Sequence, residues 1–318
     1  MPAQTLPTIC NQVTTAKTVA VLTGHWRKNS EHTEYRRLSI TEELGGEFLQ
    51  TVRQACGEIT ALAESHDLVL NEYDTGHKQD SHEIQWVKLD QVREILEEFK
   101  LVPLPVNATI FDGSAEMIDS LHHYIIVVQS QGGEPILFFR KFSPKQELGR
   151  SKGFAALFSN GQFDKIRETT FLFDARIDCI ARGNFLYVLN QHNFQMIFRY
   201  FERLRATALE SLSSIRAYVP IANFKAFEDS CVTHLVKLAK LRNIAQRDYL
   251  RYVKMRDLKK VIKAFHLPIE VIKEDGEERL SFDKAQPWLI LNLLDDAYLG
   301  SVMTRLQYEV NSKRRLQS

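Results

Sequence analysis

Between Leu121 and Asn190 the chain consists of apolar, β-rich runs reversed by short turn signals, and this alternation constrains the fold most strongly. LHHYIIVVQSQGGEPILFFRKF places two such runs around Gln-Gly-Gly-Glu, FAALFSNGQFDKI turns at Asn160-Gly161, and TTFLFDARIDCIARGNFLYVLN reverses at Arg182-Gly183-Asn184. Val, Ile, Phe and Tyr suit a pleated surface, while Gly and Asn accept the positive φ that tight hairpins require. Successive hairpins of this kind predict a mostly antiparallel, meandering sheet. KTVAVLT (17–23) and the LSI stretch near Leu38 predict short strands bracketing the charged loop GHWRKNSEHTEYRR.

Helical periodicity flanks the sheet. SITEELGGEFLQTVRQACGEITALAESH opens with Ser39 and Thr41 as cap candidates and carries Leu44, Phe48, Val52, Ala55 and Ile59 at helical spacing. Residues 71–82, NEYDTGHKQDSH, predict a loop before a second helix over LDQVREILEEF. After Asn190 the pattern is helical through FQMIFRYFERLRATALESLSSIRAY and FKAFEDSCVTHLVKLAKLRNIA. A hairpin follows in PIEVIKEDGEERLSF, turning at Asp275-Gly276, and then an apolar helix near PWLILNLLDDAYLG. The fold class is therefore α+β. A meandering antiparallel sheet with flanking helices is expected over residues 1–200, and a mainly helical, basic portion over 201–318 with its hairpin near 269–282.

Composition excludes the extremes: 44% hydrophobic and 25% charged residues describe an ordinary globular chain. MPAQTLPTICNQ resembles no secretory signal, and no apolar run approaches membrane-spanning length, so a cytoplasmic protein is expected. Cys10, Cys56, Cys179 and Cys231 form no C-x-x-C pair; reduced thiols with packing roles are expected.

No Walker-type, G-x-G-x-x-G, H-E-x-x-H or G-x-S-x-G motif occurs, and GRSKGF (149–154) lacks the spacing to wrap a triphosphate. His122 and His123 are adjacent on a strand, point to opposite faces and cannot chelate one ion together. Asp174 and Asp178 leave a metal-dependent nuclease open, with Glu83 and Lys88 as companions, because such chemistry needs clustered carboxylates and a lysine near the attacking water. Strand-end aspartates that bond turns are commoner. The expectation is a non-enzymatic protein with no cofactor and no metal site.

Charge is distributed unevenly. Residues 41–120 hold 17 acidic and 5 basic residues, whereas residues 1–40 carry +3 and residues 121–318 carry +10, so the net charge of +1 conceals a dipolar molecule. The segment RDYLRYVKMRDLKKVIKAF (247–265) has seven Lys or Arg against two Asp, and extension to 234–266 adds Lys237, Lys240 and Arg242. On a helical wheel Arg256, Lys259, Lys260 and Lys263 share a face with Tyr252, and Arg247, Arg251 and Lys254 form a second stripe; Leu250, Val253, Val261, Ala264 and Phe265 define the buried side. Like charges at these spacings destabilise a helix by about 0.2–0.5 kcal/mol each, so a phosphate backbone is the expected counterpart. A face paired with the chain's own acids is the competing reading. If about six side chains each meet one phosphate, the log–log salt slope is near −5. A second cluster, Arg140, Lys141, Lys145, Arg150 and Lys152, lies in FRKFSPKQELGRSKG and is expected to assist, in backbone-dominated binding of double-stranded DNA with little sequence preference. The order of basic helix then hairpin is also reminiscent of a winged helix.

FLFDARIDCIARGNFLYVLNQHNFQMIF and LLDDAYLGSVMTRLQYEVNSKRRL carry a resemblance to the bacterial family of the B subunit of the Kiwa anti-phage defence system. The matching residues are Phe173, Asp174, Asp178, Phe194, Phe198, Tyr298, Ser301, Thr304, Tyr308 and Lys313. The resemblance implies a homodimeric, DNA-binding cytosolic protein, held at the inner membrane by a small membrane-embedded A subunit, that interferes with phage replication and transcription. It assigns no DNA-contacting residue. A protein–protein adaptor docking the membrane subunit is the further alternative.

Overall fold

The computed structural model describes residues 2–27, 30, 32–129, 133–143, 146–148, 156–159, 162–165, 170–246, 249–301 and 303–310. The chain forms two compact units, one of residues 1–73 and 79–198, the other of residues 74–78 and 199–318.

The first unit opens with helix α1 (Pro2–Thr14), which the sequence reading did not anticipate although Leu6, Ile9, Cys10 and Val13 follow helical spacing and are buried. Strands β1 (Val19–His25) and β2 (Glu34–Arg37) come next. The second strand lies a few residues before the expected LSI stretch; Leu38 only adds a backbone bond to Val21. Helix α2 (Glu42–Glu64) starts at Thr41, whose hydroxyl accepts from the Leu44 amide, and Glu42 and Glu43 suit the positive end of its dipole. Then follow β3 (Val69–Glu72), β4 (Glu83–Lys88), α3 (Arg93–Phe99) and α4 (Ala115–Ser120). The hairpin region supplies β5 (Leu121–Val128), β6 (Ile136–Lys141), β7 (Glu147–Leu148), β8 (Ala156–Ser159), β9 (Gln162–Lys165), β10 (Thr170–Phe171), β11 (Cys179–Arg182) and β12 (Phe185–Val188), and α5 (Gln191–Ile197) closes the unit.

Eight strands make one sheet in the order β2-β1-β5-β6-β11-β12-β4-β3, antiparallel at every pair except β3 with β4. The β5–β6 and β11–β12 hairpins are as expected; Gly183, at φ 56°, makes the second turn. The pair β8–β9 forms its own two-stranded sheet instead of joining the meander. Both faces of the central strands are covered, which is why β5 and β6 read as continuous apolar runs. On one face Tyr124, Ile126, Phe138, Ile180 and Tyr187 pack with Val52, Cys56 and Ile59 of α2 and with α1; on the other lie Ile125, Val127, Phe139 and Val188, with Phe139 against Phe198 and Phe99.

The second unit is mainly helical: α6 (Tyr200–Tyr218), β13 (Ile221–Ala222), α7 (Phe224–Cys231), α8 (Leu235–Gln246), α9 (Met255–Ala264), β14 (Val271–Glu274), β15 (Glu277–Ser281), α10 (Leu289–Leu294), β16 (Tyr298–Gly300) and β17 (Gln307–Glu309). Helix α8 packs against both α6 and α10, and Leu204, Leu212 and Ile215 of α6, Leu238 and Leu241 of α8 and Leu291 and Leu294 of α10 are all buried. The expected hairpin turns at Asp275 and Gly276, with φ 52° and 82°, the double positive φ of a primed turn. Among the described residues no helix is long and apolar enough to cross a membrane.

Candidate nucleic-acid interface

The basic segment is not one helix. Helix α8 ends at Gln246, a single 3-10 turn covers Leu250–Tyr252, and α9 begins only at Met255. The expected second stripe therefore loses its common axis: Arg251 lies in the short turn and Lys254 is the residue capping α9. Both are exposed, while Arg247 lies outside the described residues.

Helix α9 forms because Leu258, Val261, Ile262 and Phe265 recur at i, i+3, i+4 and i+7 and face the unit's interior; Leu258 is buried and the Phe265 ring lies 5.9 Å from that of Tyr298. It stops at His266, whose φ of 51° and the Leu267 amide bond to the Ile262 carbonyl form a left-handed cap, and Pro268 follows. Of the expected apolar side, Leu250 is buried and Val253 half-buried, but Ala264 is exposed.

The opposite side of α9 carries Arg256, Lys259, Lys260 and Lys263, and Tyr252 just before it is 76% exposed. Part of this charge is matched within the unit. Lys259 Nζ bonds both carboxylate oxygens of Glu278 at 2.8 and 3.0 Å, which holds that carboxyl below its ordinary range. Asp257 lies 3.4 Å from Lys260 and 3.8 Å from Arg256, yet the side chains of Lys260 and Arg256 remain 68% and 76% exposed. Surface pairs of this kind are weak and leave the cations available to a stronger anion. Among the described residues Lys254 and Lys263 make no ion pair. Lys254 caps α9 without any side-chain bond to the helix, so Lys254 and Arg256 stand at the positive end of the dipole, an unfavourable place for cations that a bound anion would relieve.

The upstream lysines serve the core instead. Lys240 is buried and pairs with buried Asp295 at 3.1 Å; Lys237 bonds the Ser230 carbonyl and hydroxyl and lies 4.9 Å from the Trp288 ring centre; Arg242 donates to the Tyr200 hydroxyl.

The second cluster changes character most. Arg140, on β6, is buried, and its guanidinium grips Asp178 through Nη1 at 2.9 and 3.0 Å and Asp174 through Nε at 2.7 Å and Nη2. Burial works against the charge, but the two carboxylates outweigh it and raise the pKa. Arg140 is thus an internal counterion and has no free donor face for phosphate. Lys141 is half-buried with Nζ on the carbonyls of His122 and Phe142, and burial lowers its pKa to about 8 against the opposing charge of Asp178. Lys145, Arg150 and Lys152 lie outside the described residues.

The same geometry bears on the nuclease alternative. Asp178 also accepts from the Lys141 amide at 2.7 Å and from Asn193 at 2.8 Å, so its oxygens are occupied by the protein's own donors, as is the Asp174 carboxylate by Arg140. Glu83 shares with Arg140 and Asp178 the lining of a polar cavity of about 620 Å³, completed by Glu58, His82 and Asn193. Lys88 is elsewhere, paired with Asp90. The sequence reading missed this cavity, since its residues come from α2, β4, β6 and α5 and no spacing links them.

Fold and surface together define an α+β protein with a large mixed sheet and a separate helical unit presenting a cationic helix. The model of the family described as Kiwa protein KwaB-like matches residues 120–304, more than half of the chain, and the chain belongs to this family. It is accordingly a component of the Kiwa anti-phage defence system that works with other subunits. The match begins where the acidic block ends, and it includes Arg140, both aspartates and α9. No curated protein and no solved structure matches the chain.

Proposed function

We propose that the protein is the non-enzymatic DNA-binding effector of its defence system, holding double-stranded DNA through backbone phosphates with little sequence preference. In this reading it acts as a homodimer and is held at the inner membrane by a membrane-embedded partner subunit. The observation that carries it is the exposed stripe on α9, Arg256, Lys260 and Lys263, prolonged by Lys254 and Arg251. These groups repel one another and two of them oppose the helix dipole; phosphates would offset both effects. Lys259, already bonded to Glu278, contributes less, and Arg140 is left out of the contact set.

About five phosphate contacts per copy correspond to a salt slope near −4.5, so affinity should fall about five-hundredfold between roughly 50 and 200 mM salt. A duplex-binding titration over a salt series tests this, and a flat response or no binding at the low-salt end rejects it. Glutamate at positions 256, 260 and 263 should abolish DNA retention. If these changes instead break the complex with the membrane subunit and leave DNA retention intact, the helix is a protein-docking surface. Nicking of supercoiled plasmid by the wild-type protein with Mg²⁺ or Mn²⁺ would overturn the non-enzymatic part.

A further inference from the structure

Within the second unit a cavity of about 270 Å³ lies against the cationic helix. Val261 of α9 and Leu293 of α10 form apolar walls, and Tyr249, just before the 3-10 turn, and Tyr298, at the start of β16, add aromatic rings. Leu293 and Tyr298 are buried, whereas Tyr249 and Val261 are half-buried. Two carboxylates complete the lining, Asp257 of α9 and Asp296 beyond α10. Asp257 places this cavity beside the proposed phosphate contacts, because its carboxylate lies 3.4 Å from Lys260 and 3.8 Å from Arg256. Asp296 is exposed and, among the described residues, makes no ion pair.

We infer that the cavity receives one unpaired nucleobase of a DNA strand whose phosphates lie on the α9 stripe, an inference that rests on the DNA-binding reading above. Three properties meet in such a ligand. A flat aromatic ring suits apolar walls and tyrosine rings, and its N–H groups can donate to Asp257 and Asp296, as the cytosine amino group does to carboxylates elsewhere. Its phosphate is an anion that suits Arg256 and Lys260 at the cavity and the positive end of α9.

Size and charge disfavour other occupants. An apolar cavity of about 150 Å³ accepts benzene, whereas whole drug-sized ligands need about 300–1,000 Å³, so 270 Å³ holds a base and leaves its sugar outside. Arg256 and Lys260 repel a cationic ligand, and an aliphatic side chain offers Asp296 no donor. Extruding a base costs least where it is already unpaired, so the cavity selects bulges, mismatches and single-stranded ends. A fully paired duplex keeps its bases stacked and is held through phosphates alone.

Binding of three duplexes to the full-length protein tests this: one fully paired, one with a single bulged nucleotide, and one with an abasic nucleotide at the bulge. The bulged duplex should bind about tenfold or more tightly than the paired one, and the abasic duplex should lose that gain. A bulged 5-iododeoxyuridine should photocrosslink to Tyr249 or Tyr298. Val261→Phe, which fills the cavity, and Asp296→Ala should each reduce the preference while leaving affinity for the paired duplex unchanged. Should Val261→Phe fail to fold, the wild-type crosslink and Asp296→Ala still decide. Equal affinity for bulged and paired DNA, a gain that survives removal of the base, or a crosslink confined to the exposed Tyr252 would each overturn the inference and leave the phosphate reading standing. A free mononucleotide, dCMP or dAMP, that binds as tightly as the bulged duplex would also overturn it. Absence of binding to all three DNAs at about 50 mM salt rejects the DNA-binding reading, and this inference falls with it.

Discussion

Arg140 and Asp178, 38 residues apart in sequence, meet inside the first unit with Nη1 at 2.9 Å from Oδ1, and this contact turns an apparent phosphate ligand into a structural element. Both side chains are buried, so each desolvated charge depends on the other. Arg140→Ala is expected to cost about 3–5 kcal/mol, because it leaves the Asp178 and Asp174 carboxylates without their counterion. Urea unfolding measures the loss. Arg140→Lys should recover little of it, since an ammonium cannot serve two carboxylates with the geometry of the planar fork. DNA affinity per folded molecule should not change.

Substitutions on α9 should behave in the opposite way. Arg256→Ala, Lys260→Ala and Lys263→Ala are each expected to weaken duplex binding evenly across sequences and to reduce the salt slope by about one unit. Their effect on unfolding free energy should stay within about 0.5 kcal/mol, because all three side chains are exposed. Binding isotherms at three salt concentrations together with thermal melts separate the two effects.

Two buried histidines set an acid limit. His123 is held well below its ordinary pKa by burial first and then by the charges of His122 and Lys141; His25 is lowered by burial against an opposing bond from the Met117 carbonyl. With folded values below the unfolded value of about 6.5, the unfolded chain takes up protons first as pH falls. Their contribution is therefore fully present above about pH 6.5 and is lost as pH drops through that value towards the folded pKa values, at up to about 1.4 kcal/mol per group per pH unit. Urea midpoints between about pH 7.5 and 5 should fall, and His123→Phe should flatten the curve.

Gly24 sits in β1 directly beneath the His123 ring: a Cβ there would come within 2.3 Å of Cε1. The ring is buried and has nowhere cheap to move, so Gly24→Ala is expected to destabilise by about 1–3 kcal/mol. A double substitution with His123→Ala should cost less than the sum of the singles, which a double-mutant cycle on unfolding free energies reveals.

Much of the fold was legible because the determinants are local. The Arg182-Gly183-Asn184 and Asp275-Gly276 signals needed only positive φ at the right residues, and Thr41 needed only a free amide three residues on. The α+β class followed from periodicity switching near Asn190. Helix α1 was equally legible in its Leu6, Ile9, Cys10, Val13 spacing but was obscured by prolines at positions 2 and 7, the first of which a helix start tolerates.

The candidate site divides along the same line. The stripe on α9 depends on a 3.6-residue period, so sequence alone placed Arg256, Lys259, Lys260 and Lys263 on one side of one helix. Whether a given cation faces water or a carboxylate depends on partners that strand order and helix packing bring from far along the chain: Asp174 and Asp178 to Arg140, Asp295 to Lys240, Glu278 to Lys259. Sequence fixes charge and local period, which are properties of neighbouring residues. Tertiary structure alone decides desolvation and pairing, because both depend on what lies within a few ångströms in space.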